Sequence, residues 1–172
     1  SGFVVNGELV YGHDGFAGEL GHVIVEKNGR LCGCGNRGCL ETYASATGIV
    51  KTANEFLAKS KDSILSDLPE ITSKAIADAA LQGDKMALEI FDYTAEKLGF
   101  GLASMVAITS PKLIVLFGGL AQAGDLILKP TKKYMEQYLL KTFRNKIDIV
   151  PSQLKAADAA ILGASSLAWQ KN

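Results

Sequence analysis

Between Glu19 and Glu41 the chain reads ELGHVIVEKNGRLCGCGNRGCLE, and this stretch holds all three cysteines of the protein and one of its two histidines. The cysteines fall as C-x-C-x4-C at Cys32, Cys34 and Cys39, in a loop kept pliable by Gly33, Gly35 and Gly38. Thiolates this close in sequence can wrap a single tetrahedral ion while a fourth ligand arrives from nearby, which makes this spacing the strongest constraint on the fold. His22 is the obvious fourth donor, provided that Lys27, Asn28 and Gly29 turn the chain back on itself.

Other fates exist for three cysteines. One disulfide with a thiol left over is possible, but Cys32 and Cys34 are too close for an easy bridge, and an odd count argues against a disulfide framework. Inert buried thiols are the third reading. The ligand spacing favours zinc. His22 taken alone reads as a satisfied structural residue, and only the cluster downstream raises it to a ligand.

Two carboxylates flank this loop, Glu19 three residues before His22 and Glu41 two residues after Cys39. A metal that draws the loop together draws both acids towards one place. Carboxylates and an imidazole can hydrogen-bond several adjacent hydroxyl groups, and a site built that way rejects analogues lacking them. The second ring nitrogen of a metal-bound histidine, usually held by an outer partner, could meet a ligand hydroxyl. Each acid taken alone is equally well read as an ordinary solvated side chain.

The runs GFAGELGHVIV and CGCGNRGCLETYAS resemble the signature of the ROK family (repressors, open reading frames and sugar kinases), close to its bacterial glucokinase branch. The resemblance implies a structural zinc held by His22, Cys32, Cys34 and Cys39, with Glu19, Glu41 and the free nitrogen of His22 on sugar hydroxyls. It implies the actin-like ATPase (ribonuclease H-like) fold, with residues 1–172 as its C-terminal lobe: a mixed sheet flanked by helices, carrying an inserted zinc-binding loop over residues 19–41.

Eighteen basic and eighteen acidic residues cancel, so no basic field is available to attract nucleic acid, and no DNA contact is expected. With 172 residues, 48% of them hydrophobic, the chain can bury a sizeable core as one domain. No apolar run reaches about 18 residues and no charged-then-apolar leader opens the chain, so neither a membrane span nor a signal peptide is expected. Reduced thiols beside a metal pattern fit the cytoplasm.

In chain order, Asn6-Gly7 between apolar stretches predicts a hairpin. His13, in GHDG, has no partner at ligand spacing and is expected at the surface. Val23, Ile24 and Val25 predict a strand. From Glu41 a helical pattern runs through Tyr43, Thr47, Val50, Ala53, Asn54 and Leu57. Residues 59–70 predict an exposed connection. Thr72 and Ser73 offer caps for a helix ended by Gly83, and Asp84 opens the longest helix, whose Gly99 and Gly101 require a packing reason. Pro111 ends it, and Lys112 to Phe117 reads as a buried parallel strand. Gly118 and Gly119 then lead into a helical stretch. Residues 146–150 predict a last strand, and Ala156 to Trp169 a helix whose Ala159, Ala160, Gly163 and Ala164 allow close contact with the sheet or another helix; Trp169 is expected to pack.

A strand, a glycine turn and a helix start form a junction where backbone can approach a nucleotide, although two glycines alone read better as a tight strand-to-helix turn. IVLFGGLAQAGD resembles the family's adenosine-binding segment, which assigns Gly118 and Gly119 to nucleotide. By the same resemblance Ser1 and Gly2 end a phosphate loop, so the chain reads as the C-terminal portion of a longer kinase. The implied activity is transfer of the γ-phosphoryl of ATP, with Mg, to the 6-hydroxyl of glucose. Kinases of the family acting on N-acetylmannosamine, N-acetylglucosamine, fructose or allose are the alternatives, as is a sugar-sensing repressor. The catalytic base is expected in an N-terminal lobe, so this chain alone is expected to be inactive. Sugar and ATP are the expected small-molecule partners, and a homo-oligomer, dimer or tetramer, is expected.

Overall fold

The N-terminal hairpin pairs Val4 with Leu9 and Val5 with Glu8, so β1 (Val4–Val5) and β2 (Glu8–Leu9) are joined by Asn6 and Gly7. Both turn residues take positive φ, 53° and 85°, as a hairpin turn matching the strand twist requires. The structure, a computed structural model, describes residues 1–154 and 156–169, excepting the side chains of Ala156, Ala157, Ala160, Leu167 and Trp169. The packing expected of Trp169 lies outside what is described.

The cysteine loop follows as irregular chain pinned by single bridges, Ile24 to Cys39 and Leu31 to Arg37. The strand predicted at Val23–Val25 is therefore a bridge. Val25 N–H donates to the Gly38 carbonyl and Leu40 N–H to that of Val23, but the partner segment turns at Gly38, whose φ is 82°. One short helical turn spans Leu20–His22 and another Leu40–Thr42.

The helix predicted from Glu41 starts later. Ser45 is extended and its hydroxyl accepts from the Gly48 amide, so α1 (Ala46–Leu57) begins at this cap. Its buried face is Ile49, Thr52, Ala53 and Leu57, one position out of phase with Val50 and Asn54. The connection 59–70 is largely exposed as expected, except at Leu65, which is fully buried in a short helical turn, Ile64–Asp67. α2 (Ser73–Leu81) is capped by Thr72 and α3 (Lys85–Thr109) by Asp84, whose carboxylate accepts from the Ala87 amide.

α3 is the axis of the core, with Ile90, Phe91, Ala95, Leu98, Leu102 and Val106 buried along one face. α4 (Asp125–Tyr138) lies on it so closely that a Cβ at Gly99 would meet the Met135 amide nitrogen and the Tyr134 Cβ at 2.7 Å. A Cβ at Gly101 would meet Leu40 at 2.9 Å, so the second glycine admits the loop that carries Glu41. These are the packing reasons that glycines inside a helix require.

β3 (Leu113–Leu116) pairs in parallel with β4 (Asp148–Pro151). The described strands thus form two separate two-stranded sheets, one antiparallel and one parallel, where one mixed sheet is predicted. The strand read as buried is open on one side: Leu113 is 48% and Val115 54% exposed, because β4 is its only strand partner among the described residues. α5 (Ala156–Trp169) departs in the same sense. Among the described residues a Cβ at Gly163 would meet nothing within 4 Å and Ile161, Leu162 and Ala164 are exposed, so the close contact predicted for Gly163 and Ala164 is not made there; that predicted for Ala160 lies outside what is described. Among the described residues no helix is long and apolar enough to cross a membrane.

Candidate metal centre and its flanking carboxylates

The turn at Asn28, whose φ is 60°, brings the two ends of the loop together. One donor atom from each of His22, Cys32, Cys34 and Cys39 lies within 4.8 Å of the other three. His22 Nδ1 stands 3.6 Å from the Cys32 sulfur, and the sulfurs of Cys34 and Cys39 are also 3.6 Å apart. All three cysteines are free thiols, which leaves the metal reading ahead of the disulfide one. One imidazole and three sulfurs at these separations are a donor set that suits tetrahedral zinc.

Three thiols this close cannot ionise independently. The Cys34 amide pulls the Cys32 thiol down, but the Glu41 carboxylate accepting its proton, together with burial and the neighbouring sulfurs, pushes it up to about 12. An amide bond from Asn36 and the Cys32 thiol bring Cys34 down to about 7, and burial first of all raises Cys39. A cation at the centre compensates charge that the loop alone resists.

Both predicted carboxylates arrive here. Glu41 Oε1 is 2.9 Å from the Cys32 sulfur and 3.8 Å from His22 Nδ1, while Glu19 Oε2 is 3.6 Å from His22 Nε2. Their side chains remain 45% and 62% exposed, so three polar groups, Glu19, His22 and Glu41, open together onto one surface. Gly21 keeps the approach narrow: a Cβ there would lie 3.5 Å from that of Glu41.

Gly2 lies beside the same turn. The Ser1 hydroxyl bonds the Gly18 carbonyl and accepts from the Leu20 amide at 3.1 Å, which ties the chain start to Glu19. Gly118 takes a φ of 106° with open space where a Cβ would be, at the edge of a small cavity of about 90 Å³ shared with Phe117, Gln122 and Ser152. Gly119 reaches Ala46, 3.7 Å from the position of its missing Cβ. Ser45, the residue before Ala46, donates its hydroxyl to the Glu41 carbonyl at 2.7 Å. The start of α1 therefore joins the Glu41 end of the site to the glycine turn. His13, as expected, is an exposed residue near Asp14. A groove of about 690 Å³ between α1, α3 and α4 contains none of the predicted site residues.

Sequence reading missed the residues that hold this loop in place. Arg30 and Lys97 are largely buried cations, both over the ring of Tyr43, and Lys97 also pairs with Glu26 at 2.5 Å. The partners of the Arg30 guanidinium lie 12 to 25 positions away and Glu26 lies 71 from Lys97, and only Arg30, inside the cysteine loop, stood where the motif could have drawn attention to it.

The four clustered donors, with Glu19 and Glu41 beside them, thus connect through the start of α1 to the glycine turn that follows β3. The ROK family model matches residues 1–171, and the chain belongs to the ROK family. It is 39% identical over 170 residues to the Glucokinase of Thermotoga maritima, covering 96% of this chain and 53% of that protein. It is 34% identical over 167 residues to the DNA-binding transcriptional dual regulator NagC of Escherichia coli, covering 97% of this chain and 40% of the relative. Its fold is that of a ROK family glucokinase from Streptomyces griseus solved in complex with glucose and AMPPNP, with a TM-score of 0.88 at 31% identity, over 99% of this chain and 57% of that one. The chain spans about half the length of the relatives it matches.

Proposed function

We propose that this chain is the C-terminal lobe of an ATP-dependent glucokinase, which transfers the γ-phosphoryl of ATP to the 6-hydroxyl of glucose. The observation that carries the reading is the joint placement of two half-sites: Glu19, His22 and Glu41 share one face, and the Gly118–Gly119 turn meets the helix that starts just beyond Glu41. Glu19 and Glu41 accept hydrogen bonds from sugar hydroxyls, His22 offers its remaining nitrogen, and Gly118 and Gly119 give backbone access to the nucleotide, with Gly2 at the phosphate end. His22, Cys32, Cys34 and Cys39 hold a structural zinc, which supplies rigidity rather than chemistry. Similarity to the Glucokinase of Thermotoga maritima supports the reading.

In phosphoryl transfer the protein positions the acceptor hydroxyl, neutralises phosphate charge with Mg²⁺ and offers a carboxylate for the proton. This chain supplies the first of these, and no acid in it is assigned as the base. A lobe that has to close against another to exclude water and bring the base has little turnover alone. A homo-oligomer in the cytoplasm belongs to the same proposal.

The identity with NagC supports a second reading, a sugar sensor without kinase activity, in which the same carboxylates read a sugar and DNA contact belongs to another part of the protein. A coupled assay of the full-length protein with ATP and a panel of glucose, N-acetylglucosamine, N-acetylmannosamine, fructose and allose separates the two. Glucose phosphorylation well above the others is expected. Sugar binding without turnover favours the sensor, and turnover by the 172-residue chain alone within tenfold of the full-length protein puts the base among these residues.

A further inference from the structure

Glu41 sits in a single helical turn on a loop, and neither a long strand nor a helix holds it. One residue brackets it. The Arg30 carbonyl accepts from the Gly38 amide at 2.8 Å, just before Cys39, and the Arg30 guanidinium donates through Nη1 to the Thr42 carbonyl at 2.7 Å, just after Glu41. The same group donates to the Gly48 carbonyl at 3.2 Å and to Thr52 Oγ1 at 2.9 Å, both on α1. Glu55, also on α1, takes a two-pronged ion pair from Nε and Nη2 at 2.8 and 2.6 Å. The guanidinium lies 4.4 Å from the centroid of the Tyr43 ring, whose hydroxyl in turn accepts from the Arg30 amide at 3.0 Å. Only a glycine fits at position 29, because a Cβ there would lie 2.2 Å from that hydroxyl.

The Arg30 side chain is 11% exposed, so this fork works where water competes little. A planar guanidinium can serve a carboxylate, two carbonyls and a hydroxyl at once, and an ammonium cannot reproduce that geometry. We propose that Arg30, with Tyr43, is the positioning residue that fixes Cys39 and Glu41 relative to each other and to α1. It thereby sets sugar affinity and the hold on the metal without touching either ligand. The sugar half of this inference rests on the function proposed above; the metal half does not.

The test compares Arg30→Lys and Tyr43→Phe with the parent in the full-length protein, measuring zinc content, the rate of zinc loss to a chromogenic chelator, and Michaelis constants for sugar and ATP. Arg30→Lys is expected to purify with its zinc, to lose it about tenfold faster, and to raise the sugar constant about tenfold while that for ATP stays within about twofold. Tyr43→Phe, which removes only the hydroxyl, should move the same two quantities about two- to threefold. Unchanged zinc loss in both variants overturns the proposal. So does a parallel rise of the sugar and ATP constants with a fall in Tm, since an ordinary structural residue behaves that way. If Arg30→Lys does not fold, Tyr43→Phe alone decides, and parent-like zinc loss counts against the proposal. A parent protein that phosphorylates no hexose removes the functional reading, and the chelator rates still decide the role of Arg30.

Discussion

Alanine at position 99 and alanine at position 101 are the same substitution in the same helix, and the structure predicts different outcomes. Each removes a mid-helix glycine and so gains about 1 kcal/mol of helix propensity. At Gly99 the new Cβ would sit 2.7 Å from the Met135 amide nitrogen, 2.7 Å from the Tyr134 Cβ and 3.0 Å from the Thr131 carbonyl. All three belong to the backbone or root of α4, so relief requires moving a helix whose Ile127, Thr131 and Met135 are fully buried. Overpacking of that kind costs roughly 1–3 kcal/mol, and more when backbone must move, leaving Gly99→Ala destabilised by about 1–2 kcal/mol. At Gly101 the nearest atoms are side-chain ends, Leu40 Cδ2 at 2.9 Å and Val25 Cγ1 at 3.5 Å. Leu40 can give by a few tenths of an ångström, so the two effects offset and Gly101→Ala should lie within about 0.5 kcal/mol of the parent. Urea titrations of the zinc-loaded chain, followed by far-ultraviolet circular dichroism with equal slopes required, measure both. Equal shifts for the two variants, or a Gly99→Ala chain more stable than its parent, would refute the account of α3 lying on α4 at backbone distance.

Further outcomes are expected at the site and at the cap of α3. Protein prepared without added metal should carry one equivalent of zinc by elemental analysis, and Cys34→Ala should lower Tm and sugar binding together, because unfolded thiolates do not preform such a site. Glu41→Gln in the full-length protein should weaken sugar binding more than tenfold with little change for ATP, since losing a charged acceptor costs about 1.5–3 kcal/mol and each 1.4 kcal/mol is tenfold; steady-state kinetics with each substrate varied read it. Asp84 resists ionisation through burial, but bonds from the Ala87 and Ile64 amides and the Ser63 hydroxyl outweigh that and hold its carboxyl below the usual range. Its contribution is thus present above about pH 4, the ordinary carboxylate value, and is lost as pH falls through the lower folded one. Melts of Asp84→Asn against the parent should accordingly differ most near neutrality and converge in acid.

What the sequence revealed, it revealed through contacts close along the chain. Asn6-Gly7 announced a hairpin because both residues accept positive φ, and Thr72 and Asp84 announced helices because a cap bonds an amide three residues on. The clustering of four donor side chains was legible for the same reason: Cys32, Cys34 and Cys39 span eight positions, and the turn at Asn28 folds His22 back to them. The start of α1 was misplaced because Tyr43 fits a helical spacing, yet its burial comes from packing beside Arg30, Lys97 and Tyr93 rather than from a helix face. β3 was misjudged differently. A run of Leu, Ile and Val says that a strand needs cover on both faces, and nothing in the run says whether this stretch of chain provides it.

The same division explains why the candidate site divides into a legible part and an illegible part. Groups that meet a ligand must be of particular types, so a histidine, three cysteines and two glutamates within one loop are conspicuous. The groups that aim them need mostly to reach the right backbone atoms, and here those atoms belong to Gly38, Thr42 and Gly48, with the Thr52 hydroxyl and the Glu55 counter-charge beside them. Main-chain carbonyls have no sequence signature, so an arginine that bonds them looks like any other surface arginine until the chain is folded. The loop has little regular structure of its own to stiffen it, only two short helical turns and two single bridges. A metal held by His22, Cys32, Cys34 and Cys39 would stiffen it on one side, as Arg30, Tyr43 and Lys97 do on the other. Removing either support should leave Glu19 and Glu41 present and their spacing lost, so sugar affinity is expected to fall in both cases, and loss of the metal is expected to lower Tm as well.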